Sequence, residues 1–177
     1  IIPIRKNNDF IPDLWKASIG NNTLLHLRIS ECLKSKIFTK IIITCDDCSA
    51  LSTLNVFTDN RLEFFKREKS STFSEFSLFE SIKDIIEKFD KSLSGFSVIN
   101  FIQSPFVSYR LLEESVASIE LFNGNSCRGV TKTKTDLFRK TENGLVPVIG
   151  KRMVRFEENN LFSDARAFLS LRNQNIS

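Results

Sequence analysis

The chain has 177 residues, 41% of them hydrophobic and 26% charged, with a formal net charge of +4. That length is enough for one domain with a real core, and the composition is that of an ordinary globular protein. The basic residues are scattered, which argues against a nucleic-acid surface, and no apolar stretch approaches the roughly 18 residues of a membrane span. The opening Ile1-Ile2-Pro3-Ile4 is too short for the apolar region of a signal peptide. A cytoplasmic protein is therefore expected. The chain opens without Met, and the reading is of a sequence truncated at both ends.

Taken in order, residues 1–4 read as a first core strand that meets Arg5 and a polar loop closed by Ile11-Pro12. A helix is predicted from about Thr23 to Lys34, with Leu25, Ile29, Cys32 and Leu33 at helical spacing. An apolar strand follows over 39–45 and ends at Cys45-Asp46-Asp47. Another strand is expected at 62–66. A second helix starts near Thr72, where Thr72 and Glu75 have capping-box spacing, with Phe79, Ile82, Ile86 and Phe89 as its stripe. Residues 96–102 are nearly all apolar, as a strand covered on both faces should be. A third helix follows Ser108, with Leu112, Val116, Ile119 and Phe122 on one face. Beyond it come strands at 127–133 and 153–156, an extended arm over about 138–156, and a short last helix through Ala165, Phe168, Leu169 and Leu171. Strands alternating with helices argue for βαβ units, hence an α/β fold with a mostly parallel central sheet flanked by helices in a single domain over 1–177.

Seventeen Phe against one Tyr and one Trp fit a Phe-packed core better than a stacking platform for bases, which would bring Tyr, Trp and interleaved Arg. Of the four cysteines, Cys45 and Cys48 form a CxxC. No second pair offers the other two ligands of a structural zinc, and the two aspartates inside the pair disfavour a redox thiolate. Ordinary reduced thiols are expected.

Chemistry is expected where loops 5–12, 46–50 and 103–108 converge, because ligands of open α/β sheets sit outside the carboxyl ends of the strands. Arg5 can hold phosphate or carboxylate oxygens with its planar fork, or form a surface salt bridge. Asn7 and Asn8 suit a phosphate-cradling loop without glycine, and equally a solvated turn. Asp46 and Asp47 fit a Mg²⁺ ligand or a ribose partner, or one of them caps the segment 49–54. Gln103, with Ser104 and Pro105, can read a pyrimidine edge with donor and acceptor, or mark a plain turn.

These segments resemble the CMP-sugar synthetases, the acylneuraminate and 3-deoxy-manno-octulosonate cytidylyltransferases. That family opens with a strand and then A-R-x-x-S-K-x-x-P-x-K-N, against which residues 4–15 here align without gaps. Residues 34–47 are similar to the family's second strand, and Arg67 with the helix from Ser71 to Phe89 to its next region. Residues 101–105 look like a shortened L-L-Q-P-T-S-P. The resemblance runs through nearly the whole chain. It implies a Rossmann-like nucleotide-diphospho-sugar transferase fold and transfer of CMP from CTP to an acidic keto-sugar, with Mg²⁺ as cofactor. On that basis Arg5 and Asp46 are implied as catalytic, and Arg5, Lys6, Asn7, Asn8, Gln103 and Ser104 as surrounding the nucleotide. Asp46 is also implied as a Mg²⁺ ligand, and the arm as the basis of a homodimer.

The departures point to an alternative, a catalytically degenerate homologue that binds a nucleotide, a sugar or a partner protein. The loop Ser and Lys of the family become Asn8 and Asp9, and its Lys-Asn pair becomes Leu14-Trp15. At an effective dielectric of about 20, unit charges ~4 Å apart interact by about 4 kcal/mol, so Asp9 beside a triphosphate opposes binding. The family's downstream acidic metal ligands have no counterpart in this sequence. A glycosyltransferase of related fold ranks last, because its metal motif separates two acids that are adjacent here.

Overall fold

The computed structural model describes residues 1–7, 11–67, 78–132, 138–142, 144–147 and 162–176. The residues group into two compact units, one of Ile1–Gly129 with Arg166–Ser177, the other of Val130–Ala165.

In the first unit, β1 (Ile2–Pro3) leads through the loop to a small hairpin, β2 (Ser18–Ile19) and β3 (Asn22–Thr23). Gly20 turns this hairpin at φ +59°, a conformation that suits a residue without Cβ. Helix α1 (Leu24–Leu33) follows directly, and Thr23 caps it by accepting the His26 N–H at 3.2 Å. Every residue of β4 (Ile41–Cys45) is buried. After it come a short helix α2 (Leu51–Leu54) and β5 (Leu62–Lys66). β1 and β5 both pair parallel to β4, with Ile2 opposite Ile43 and Phe64 opposite Ile43 on the other side. Arg61 stitches this half together: Nη2 donates to Leu33 O at 2.9 Å and Nη1 to Ser35 O at 2.6 Å, gathering carbonyls at the C-terminus of α1. A cation there complements the negative helix end.

The other half holds α3 (Leu78–Phe89), β6 (Phe96–Asn100), α4 (Tyr109–Leu121), β7 (Ser126–Lys132) and, after unit two, β10 (Phe162–Arg172). Its strands order as β6-β10-β7, with β10 antiparallel to β6 and Leu169 opposite Ile99. Ile1 joins the two halves. Its amine donates to Val98 O at 2.7 Å and its carbonyl accepts the Asn100 N–H at 2.9 Å, the parallel pattern. The strands therefore run β5-β4-β1-β6-β10-β7, parallel except where β10 reverses.

Helices cover both faces. On one, Ile82 and Ile86 of α3 pack with Ile99, Leu171 and Ile176. On the other, Asn100 donates to Cys32 Sγ of α1 at 3.3 Å, and Ser170 meets Ser115 Oγ of α4 at 2.5 Å. This two-faced burial explains why the strands read as nearly continuous apolar runs.

Two sequence expectations change, and two others fall on residues outside those described. The last helix is the strand β10: Ala167, Phe168, Ser170 and Leu171 are buried on alternating faces of a covered strand, and a short apolar run of that kind imitates a helical stripe. The start of the second helix at residues 72–77 and the strand at 153–156 lie outside the described residues. Phe122 is exposed beyond the end of α4, whose buried residues are Leu112, Ser115 and Ile119.

The second unit contains a hairpin, β8 (Phe138–Thr141) and β9 (Gly144–Pro147), paired antiparallel with Lys140 opposite Leu145. Gly144 sits at φ +110°, and Thr141 Oγ1 donates to its carbonyl at 2.9 Å. Phe138, Leu145 and Phe162 are exposed.

Candidate functional site

Because β1, β4, β5 and β6 run parallel, their carboxyl ends share one edge of the sheet. Arg5 and Lys6 follow β1, Asp46 and Asp47 follow β4, Arg67 follows β5, and Gln103 lies just past β6. This is the edge at which open α/β sheets take ligands.

From the end of the outermost strand, Arg67 reaches across to the loop after β1. Only 6% exposed, it donates from Nη2 to Ile4 O at 2.5 Å, and its backbone N–H donates to Cys45 O at 2.9 Å. Its Nε is buried with no hydrogen-bond partner among the described residues. Burial pulls the guanidinium below its ordinary pKa, the Cys45 thiol and Asp46 carboxylate push the other way, and Arg5 adds to the lowering. Arg5 and Arg67 therefore lie close enough to feel each other's charge.

The two aspartates divide the roles the sequence left open. Asp47 is the cap: its carboxylate accepts the Ser49 N–H at 2.9 Å at the start of the short helix Cys48–Ala50. That hydrogen bonding, helped by Lys6 and Lys16, holds its pKa below the usual carboxylate value. Lys6 Nζ stands 3.8 Å from Asp47 Oδ2. Asp46 instead accepts the Lys6 backbone N–H at 2.9 Å, which ties the loop after β1 to the end of β4. Lys16, 3.0 Å from Asp13 and over the Trp15 ring, adds a further positive charge nearby.

Among the described residues, no three His, Cys, Asp or Glu side chains gather as a metal site. Asp46 alone fits Mg²⁺ in the limited sense that this ion is commonly held by one or two carboxylates together with substrate phosphates and water. Cys45 is no redox partner: burial pushes its thiol up to about 12, and all four cysteines are free.

Gln103 is exposed in the turn after β6, and Ser104 is half-buried. Asn7 is exposed beside Lys6, while Asn8 and Asp9 lie outside the described residues. Trp15, at the position of the family's asparagine, is 3% exposed and belongs to the core, so it presents no side chain to a ligand.

One site-shaping residue escaped the sequence reading. Arg28 of α1 is fully buried, and its Nη1 donates to the carbonyls of Ser104 (3.3 Å), Pro105 (2.8 Å) and Val107 (2.8 Å). Glu31, one turn on, accepts the Tyr109 N–H at 3.1 Å. Burial works against the Glu31 charge, but the bonds from Lys34 and Tyr109 outweigh it and lower its pKa. The signal was present: Arg28 falls three residues after Leu25 and four before Cys32, on the apolar stripe itself.

No protein-family model matches the chain, and no curated protein sequence does. Solved structures do. The 4-diphosphocytidyl-2C-methyl-D-erythritol synthase of Anaerococcus prevotii superposes with TM-score 0.70 at 12% identity, over 98% of this chain and 69% of that one. A CMP:2-keto-3-deoxy-manno-octonic acid synthetase complexed with CTP gives TM-score 0.70 at 10% identity, over 99% and 73%. The 2-C-methyl-D-erythritol 4-phosphate cytidylyltransferase of Francisella tularensis gives 0.65 at 14%, over 97% and 71%. Among the described residues no helix is long and apolar enough to cross a membrane. At this identity the likeness is one of architecture: the chain has the Rossmann-like fold of the cytidylyltransferases.

Proposed function

We propose that the chain is a CTP-dependent nucleotidyltransferase that transfers CMP to an acidic keto-sugar of the acylneuraminate type. The observation that carries the reading is the meeting of Arg5, Lys6, Asp46 and Arg67 at the strand edge where such folds take nucleotides. The acceptor hydroxyl attacks the α-phosphorus of CTP; a P–O bond to the sugar forms, the P–O bond to the β-phosphate breaks, and pyrophosphate leaves while the hydroxyl proton passes to solvent. Such a reaction asks chiefly for positioning and charge neutralisation. Arg5 and Lys6 hold phosphate oxygens, Arg67 supports them from beneath, and Gln103 with Ser104 meets the cytosine. Asp46 would add a ligand to a Mg²⁺ bound to the triphosphate, which supplies charge neutralisation on the leaving pyrophosphate. The second unit, with its exposed Phe138, Leu145 and Phe162, is the proposed arm of a homodimer.

Exchange of labelled pyrophosphate into CTP tests the reading, run with keto-acid sugars and, because one similar structure is a 2-C-methyl-D-erythritol 4-phosphate cytidylyltransferase, with methylerythritol phosphate. Exchange with a keto-acid sugar is expected. Exchange with methylerythritol phosphate alone would move the acceptor class, and none with any acceptor would contradict the enzyme. Trp15 favours a second reading, a homologue that binds the nucleotide without turning it over, since the family's polar side chain there is replaced by a core residue. Stabilisation by CTP without exchange would support it.

A further inference from the structure

We propose that Arg28 is a positioning residue for base recognition: its buried guanidinium fixes the loop after β6 and so sets the selectivity of the site for cytosine. The inference rests on the reading that CTP binds at the strand edge, and adds a residue that touches neither base nor phosphate.

One nitrogen of Arg28 gathers three carbonyls, those of Ser104, Pro105 and Val107, into a single cluster. Ser104 O also accepts the Val107 N–H at 3.4 Å, and the Ser104 N–H donates to Phe101 O at 3.2 Å. The peptide planes on the far side of Gln103 are thereby pinned. Four residues after Val107 cannot drift either, because Ser108 caps α4 by accepting the Leu111 N–H, and Glu31 accepts the Tyr109 N–H. Helix α1 thus grips the loop twice, with a cation on its carbonyls and an anion on an N–H.

This grip is costly to maintain. Arg28 is fully buried, and its Nε and Nη2 have no hydrogen-bond partners among the described residues. Buried charges with unmet donors are weak contributors to stability, and apolar residues of similar volume often replace them without loss. A methionine or leucine at 28 would complete the apolar face formed by Leu24, Leu25, Ile29 and Cys32. What an apolar residue would not do is hold three carbonyls inward. With those carbonyls engaged by Arg28, the base meets the Gln103 side chain in one orientation. Cytosine pairs an N3 acceptor with a 4-amino donor where uracil has an N3–H donor and a 4-carbonyl acceptor, so a fixed amide distinguishes them and a mobile one does not.

Calorimetric titration with Mg²⁺-CTP, Mg²⁺-UTP and inorganic triphosphate, for wild type, Arg28→Met and Arg28→Lys, tests the proposal. Wild type is expected to prefer CTP over UTP at least tenfold. Arg28→Met should lose most of that preference through weaker CTP binding, with triphosphate affinity within about twofold of wild type; Arg28→Lys, which can still reach a carbonyl, should recover part of it. If Arg28→Met does not fold, the ratio in Arg28→Lys decides, and a value equal to wild type overturns the proposal. Unchanged CTP-to-UTP ratios in folded variants overturn the role of Arg28 while leaving the nucleotide site intact. Wild type that binds no nucleotide sinks the cytidylyltransferase reading, and this role with it.

Discussion

Replacing Arg67 by methionine separates the structural from the ligand-binding part of its role. In the unliganded protein the substitution removes the bond from Nη2 to Ile4 O, and losing a buried hydrogen bond to a charged group costs about 1.5–3 kcal/mol. It also removes a buried charge whose Nε is unmet, and relief of that desolvation works in the opposite direction by a similar amount. Folding stability should therefore move by only about 1 kcal/mol. Binding of CTP has no such offset, because a nucleotide at this strand edge adds a charge-assisted contact to the Arg67 guanidinium that the methionine cannot make. Loss of one charge-assisted contact predicts affinity lower by about 10- to 150-fold, at about 1.4 kcal/mol per factor of ten. Thermal unfolding with and without Mg²⁺-CTP reads both effects. A ligand at 100 times its Kd adds about 2.7 kcal/mol to wild type; after a 30-fold loss the same concentration adds about 0.9 kcal/mol. Equal CTP-induced stabilisation of Arg67→Met and wild type would refute the reasoning.

Asp46→Asn keeps an acceptor for the Lys6 N–H but loses the charge, so initial rates should fall at least tenfold and need more Mg²⁺, and an unchanged Mg²⁺ dependence would count against a metal-side role. Asp90 is held down to about 2 by the Asn173 amide, the Gly95 N–H and Ser92. A carboxyl with a depressed folded value stabilises fully above its unfolded pKa of about 4 and loses that contribution as pH falls toward 2. Wild type should accordingly lose stability between pH about 4 and 2, whereas Asp90→Asn should show a shallower decline in acid unfolding curves. Phe122→Ser removes a side chain that is 78% exposed and should change stability by less than about 0.5 kcal/mol in urea unfolding.

The parallel half of the sheet was legible chiefly through β4, which is buried along its whole length, so that 41–45 stand where their apolar run places them; the half-buried 62–66 form the expected strand beside it. The same property hid β10. Once both faces are covered, period two disappears, and Ala165, Phe168, Leu169 and Leu171 can be read as a helical stripe. The positions of Arg5, Asp46 and Gln103 at strand ends followed from βαβ logic. The split between Asp46 and Asp47 did not, since either acid has capping chemistry and only the backbone geometry gives Ser49 to Asp47. Arg28 was missed for another reason: charged residues are normally read onto solvated faces, and its carbonyl partners lie 76 to 79 positions away in sequence.

Backbone amide shifts of the labelled protein, followed during titration with Mg²⁺-CTP, test the central claim most directly. Saturable shifts are expected at Lys6 and Asn7, at Asp46 and Asp47, at Arg67, and at Gln103 and Ser104. Shifts confined to other parts of the chain, or none at millimolar nucleotide, would contradict it.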